Sequence, residues 1–160
     1  MISNFNSLVK DSRVWVFQST LRIEDNKIDG IKKEIRFFLE NWKSHRKDFK
    51  SSFEIRYNTF IIIAADESNQ VSGCSIDSLM KFIQDLEVSF NLQLLDKLQV
   101  KYFENDKIHT KHLSDFKNYC HNLDKNKSLV VFNNLVRNIK ELENEWEVDI
   151  RDSWHNRFIK

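Results

Sequence analysis

Ser72-Gly73-Cys74-Ser75-Ile76-Asp77 sets a thiol, two hydroxyls and a carboxylate around one of only two glycines in the chain. An unbroken apolar run precedes the segment and an amphipathic stripe follows it, so it reads as a strand-to-helix turn. Free backbone N–H groups at such a turn can hold an anion, and their field can sharpen a thiolate. With Ser75 as the N-cap, Asp77 falls in the first helical turn and Cys74 sits just outside the helix. Asp77 opposes a thiolate, because a second anion nearby is disfavoured. The plain alternative is a helix start and nothing more. Ser75 and Asp77 are then caps, Gly73 eases the turn, and Cys74 is a small buried hydrophobe. The residues leave both readings open.

Which side chains join this turn depends on the elements around it. Residues 13–18, rich in β-branched and aromatic types, predict a strand. Asp25 or Asn26 can cap a helix whose apolar stripe is Ile28, Ile31, Ile35, Phe38, Leu39 and Trp42. Residues 52–57 alternate, with Phe53, Ile55 and Tyr57 on one face. A turn at Asn58-Thr59 leads into 60–65, a continuous apolar run that suits a central strand. Ile76, Leu79, Met80, Ile83, Leu86 and Phe90 form a second helical stripe. A hairpin around Asn105-Asp106, a short helix capped by Ser114, a strand at 129–132 and a helix at 139–146 follow. The order predicts an α+β fold with an antiparallel or mixed sheet and helices mainly on one face. It begins with a ferredoxin-like βαββαβ pattern and adds a β-α-β extension. A single domain over 1–160 is expected, with an aromatic C-terminal segment (about 147–160) docked onto it.

In that layout the first helix and the third strand end where the second helix begins. Trp42, His45 and Asp66 would then meet Ser72, Gly73, Cys74, Ser75 and Asp77 at one rim. The tail, through Trp154 and Arg157, could cover it. Such a rim suits a small anionic or aromatic ligand. Alternatively, Cys74 acts as a nucleophile with His45 or His155 as its base, the usual arrangement for an activated thiol. The plain reading of the tail is an aromatic latch, with Arg157 pairing to a carboxylate. A third reading is a structural homodimer or assembly partner using exposed aromatics.

Composition narrows the classes. The 41% hydrophobic content, with 13 Phe and 4 Trp, supplies a real core, and a net charge of +1 argues against a nucleic-acid partner. The longest apolar run is too short for membrane insertion, the first residues are polar, and two cysteines make no disulfide framework. A cytoplasmic protein with reduced thiols is expected. Two distant glycines cannot build a P-loop, a dinucleotide fingerprint or a nucleophile elbow. His109 and His112, three apart on a strand, point to opposite faces and make a poor metal pair. No cofactor or metal is expected.

Trp42-Lys43-Ser44-His45, the 72–77 turn and Asp152-Ser153-Trp154-His155-Asn156-Arg157-Phe158 together resemble a small bacterial family of about this length. Its members often carry the label "ABC transporter ATPase". The likeness extends to Ser12-Arg13-Val14-Trp15 and Val131-Phe132-Asn133-Asn134-Leu135-Val136. It implies no catalytic roles for these residues. An ATPase of the labelled class needs a phosphate-cradling glycine loop and a Mg²⁺-binding Ser or Thr, and this chain has neither.

Overall fold

Phe60–Ala65 is apolar at every position and becomes a central strand, fully buried along its length. The computed structural model, which describes residues 1–44, 47–66 and 71–159, is an α+β protein. Its first half runs β1 (Arg13–Gln18), α1 (Asp25–Asn41), β2 (Lys43–Ser44), β3 (Lys47–Asp48), β4 (Ser51–Arg56), β5 (Phe60–Ala65) and α2 (Gly73–Phe90). The second half runs β6 (Gln99–Glu104), β7 (Lys107–His112), α3 (Leu113–His121), β8 (Val130–Phe132), α4 (Ile139–Glu145) and β9 (Glu147–Asp149).

The described residues gather into two compact units. One holds the chain up to Leu95 together with Arg137–Lys140, and the other holds the remainder. In the first, β5 lies between β1 and β4 and pairs antiparallel with both. β1 and β4 therefore run parallel, joined by α1, with β5 inserted between them. That is the split βαβ arrangement. The expected fourth strand does not complete it. β6 pairs instead with β7 and β8, in a second sheet of order β7-β6-β8-β9. Each sheet then collects its own apolar core, which is the physical basis of the division.

The centre of each predicted stripe is buried, with Ile28, Phe38, Ile76, Met80 and Phe90 half-buried at its margins. Ile31, Ile35 and Leu39 of α1 and Leu79, Ile83 and Leu86 of α2 pack on Phe17, Ile61 and Ile63. Gly30 allows this contact. A Cβ there would stand 3.0 Å from the Phe90 ring at the far end of α2. The β4–β5 turn falls one residue earlier than expected, at Tyr57-Asn58, both left-handed (φ 56° and 47°). The β6–β7 turn is at Asn105-Asp106 (φ 52° and 61°), as predicted. Both match the turn twist that antiparallel hairpins favour. In the second unit, Val100 and Tyr102 meet Phe116 and Cys120 of α3 and Phe158 of the C-terminal 3-10 turn.

Candidate functional site

The start of α2 is built by serines, and its cap is not the expected one. Ser72, not Ser75, is the N-cap, and its Oγ accepts from Ser75 N–H at 3.2 Å. Gly73 and Cys74 consequently lie inside the first turn, and Cys74 is exposed, not a buried hydrophobe. Gly73 has an ordinary backbone and open space where a Cβ would stand, so no conformational need for glycine exists there. Ser75 is buried. Its Oγ donates to the Lys43 carbonyl at 2.7 Å and lies 2.8 Å from Ser72 Oγ. Ser72 N–H donates to Ser44 Oγ at 3.1 Å. These bonds fasten the head of α2 to β2, a strand too short to show in the sequence pattern.

Trp42 completes the joint. Its indole N–H donates to the Ser75 carbonyl at 2.8 Å. The ring packs edge-on against Trp15 (5.7 Å) and Phe49 (4.8 Å). The structure thus brings Trp42, Ser72, Gly73, Cys74 and Ser75 together. The serine hydroxyls and the indole N–H are spent on internal bonds, so the side chains of the turn form a welded corner. Asp66, half-buried, donates its N–H to the Lys50 carbonyl at 2.8 Å at the end of β5, and Asp77 is exposed on α2. His45 lies outside the described residues.

Beside this corner a groove of about 580 Å³ opens between α1 and α2. Phe38 and Phe82 stack in parallel on its floor, centroids 4.3 Å apart and planes 4° from parallel. Trp42 and Leu86 continue the apolar surface, and Phe37, 68% exposed, stands at its lip. Glu34, Lys43, Lys81 and Asp85 ring it with both signs of charge. The Lys81–Asp85 pair at 2.6 Å is on the surface and adds little stability, leaving both groups available to a ligand. Phe37 and Phe82 lie off the two predicted stripes.

The tail residues belong to the second unit. Trp154 stacks on His155 (3.8 Å) and meets Phe158 edge-on (5.8 Å). Arg157 lies over the Trp154 ring at 5.2 Å and donates to the Trp154 carbonyl at 3.2 Å, so its aromatic contact stands where a carboxylate was expected. His155 is 2% exposed, with Nδ1 2.7 Å from Ser153 Oγ. Burial, aided by the Arg157 charge, pushes its pKa down to about 4. A histidine held neutral in this way is poorly suited to pair with a thiolate. Burial likewise pushes the Cys120 thiol up to about 11, which keeps it protonated and inert.

Sequence reasoning missed a polar aromatic cluster in the same unit. Tyr102 stacks between His109 (5.6 Å) and Tyr119 (5.2 Å). Tyr119 donates its hydroxyl to Glu104 at 3.1 Å, and burial together with that bond pushes it up to about 12. Lys101, only 4% exposed, donates to Thr110 Oγ1 at 2.6 Å, and burial pushes it down to about 8. His112 caps α3 in place of the expected Ser114, its Nδ1 accepting from Ser114 N–H at 3.2 Å, while His109 faces Tyr102. Among the described residues, no group of three or more His, Cys, Asp or Glu is placed to hold a metal ion. No helix among them is long and apolar enough to cross a membrane.

No protein-family model matches the chain, and no curated protein or solved structure is similar to it.

Proposed function

We propose that this chain is a small-ligand binding domain whose site is the α1–α2 groove, next to the Ser72–Ser75 corner. The observation that carries the reading is the Phe38–Phe82 parallel stack on the floor of an open groove. Its volume of about 580 Å³ falls within the usual range for ligand sites, roughly 300–1,000 Å³. The two rings cover each other's facing sides, so a flat aromatic group would meet their edges or the outer face of one ring, both favoured aromatic contacts. An acidic substituent would point toward Lys43 and Lys81, the two cations of the groove. The serine corner holds the two helices in register, so the groove is preformed and little ordering entropy is lost on binding. The domain works in the cytoplasm with both thiols reduced, a reading that rests on cysteine usage.

Calorimetry with a panel of naphthoates and indole carboxylates tests the proposal. At least one member binds at a single site, Phe82→Ala weakens it tenfold or more, and Cys74→Ala leaves it unchanged. No heat at millimolar ligand, or equal binding by Phe82→Ala, overturns it. The alternative, a thiol enzyme, is supported by the exposure of Cys74 in the first turn of α2. It requires Cys74 alkylation to titrate well below the free-thiol value of about 8.5.

A further inference from the structure

β4 is an edge strand with an open ladder. Asp66 N–H donates to the Lys50 carbonyl at 2.8 Å, which fixes the alternation along the strand. Lys50, Ser52, Glu54 and Arg56 turn their backbone groups toward β5, and Ser51, Phe53 and Ile55 turn theirs outward. The outward groups of Ser51 are used. Ser51 N–H donates to the Met1 carbonyl (3.0 Å), and Ser51 O accepts from Ser3 N–H (2.8 Å). This is the start of a parallel strand, marked by the Ile2–Ser51 bridge. The added strand then stops, because Asn4 caps a 3-10 turn at Phe5–Ser7, which stays beside β4 with Arg56 over the Phe5 ring at 5.9 Å but adds no further ladder bonds. Beyond it, the outward N–H and C=O groups of Phe53 and Ile55 have no hydrogen-bond partner among the described residues. The opposite edge of the sheet differs. There Val14 N–H donates to the Arg137 carbonyl (2.9 Å) and Ser12 O accepts from Ile139 N–H (3.0 Å).

A groove of about 470 Å³ follows this open edge, with Lys32 and Arg36 of α1 on one wall and residues 2–5 on the other. Arg36 lies over the Phe53 ring at 5.7 Å, and neither Arg36 nor Lys32 is in an ion pair among the described residues. Glu54, the acidic group in the groove, is held by Arg56 at 2.7 Å. The uncompensated charge is therefore positive. We infer that the open half of β4 is a strand-addition site for an acidic peptide. Such a segment pairs its backbone with Phe53 and Ile55 and points alternate Asp or Glu side chains at Lys32 and Arg36. A second copy of this chain fits less well. Two-fold pairing of β4 with β4 about an axis normal to the sheet would place two Lys32–Arg36 pairs on the same face.

The test is fluorescence anisotropy of a labelled, capped hexapeptide alternating Glu and Val, titrated with the full chain. It binds saturably. N-methylation of the amides in one of the two alternate registers weakens it at least tenfold, and Lys in place of Glu abolishes it. Lys32→Glu combined with Arg36→Glu, both on the outer surface of α1, weakens it tenfold while the circular dichroism melt stays in place. Ile55→Pro, which deletes a donor not used by β5, gives a similar loss. The inference is overturned if the peptide fails to bind at millimolar concentration. Equal binding of the Lys version or of both N-methylated registers also overturns it. So does a concentration-dependent dimer that protects the Phe53 and Ile55 amides from exchange.

Discussion

The two units use their polar residues in opposite ways. In the first, the buried polar residues carry no ionisable group, among them Ser12, Ser19, Ser52 and Thr59 beside Ser75 of the corner, and the charged groups stay at the surface, some of them around open grooves. In the second, ionisable groups are drawn inside: Lys101, Cys120 and His155 are all buried, and each is shifted toward its neutral form. A surface with free charges and exposed rings can recognise a ligand at little cost. In the second unit His155 and Cys120 are neutral near pH 7 and Lys101 is eased toward neutrality, and burial is the leading cause of all three shifts. The groove proposed as the binding site accordingly contains none of the shifted groups, even though such groups often mark active sites.

Tryptophan truncation should show the sharpest contrast. Trp42 is 3% exposed, meets three aromatic rings and bonds Ser75, whereas Trp154 is half-buried. Trp42→Ala should cost about 4 kcal/mol and Trp154→Ala about half of that, measured by urea unfolding. Equal losses would show that the corner around Trp42 is not the mechanical centre of the first unit.

Acid separates the units next. The unfolded chain protonates His155 near its ordinary value of 6.5, and the folded chain only near 4. Its contribution is therefore intact above pH 6.5 and is lost as pH falls toward 4. The slope integrates to about 3 kcal/mol at about 1.4 kcal/mol per pKa unit. Melting followed at Trp154 should weaken over that window, and His155→Gln should flatten the dependence. A pH-independent melt would contradict the buried neutral imidazole.

The smallest effect belongs to the cap. Ser72→Ala removes the Oγ that accepts from Ser75 N–H and should cost about 1 kcal/mol. Ser75→Ala should cost at least as much, because its buried hydroxyl also holds Lys43 of β2. The reverse order would mean that the corner is tied mainly by the cap.

The α+β class was legible because the relevant signals are local. Ile31, Ile35 and Leu39 recur at helical spacing, 60–65 is apolar throughout, and Asn105-Asp106 tolerates left-handed backbone. Partner choice is not local. Nothing in residues 99–104 says that they pair with 107–112 and 130–132 and leave β1 alone, so the two-unit division was hidden. β2, β3 and β9 are two or three residues long and, unlike 129–132, carry no apolar run to mark them. The cap was ambiguous because Ser72 and Ser75 are both good N-caps three residues apart, and only the neighbouring Ser44 and Lys43 carbonyl decide. The groove is made by Phe37 and Phe82, which lie off the stripes and look like ordinary surface positions until the helices are paired.

The claim that the first unit is the binding unit is tested most directly by amide shift mapping. The ¹⁵N-labelled chain is titrated with the naphthoate and indole carboxylate panel. The account predicts saturable shifts concentrated in 37–43 and 78–89, with the Phe82→Ala variant silent there. Shifts centred on Tyr102, His109 and Tyr119 of the second unit, or none at all, would contradict it.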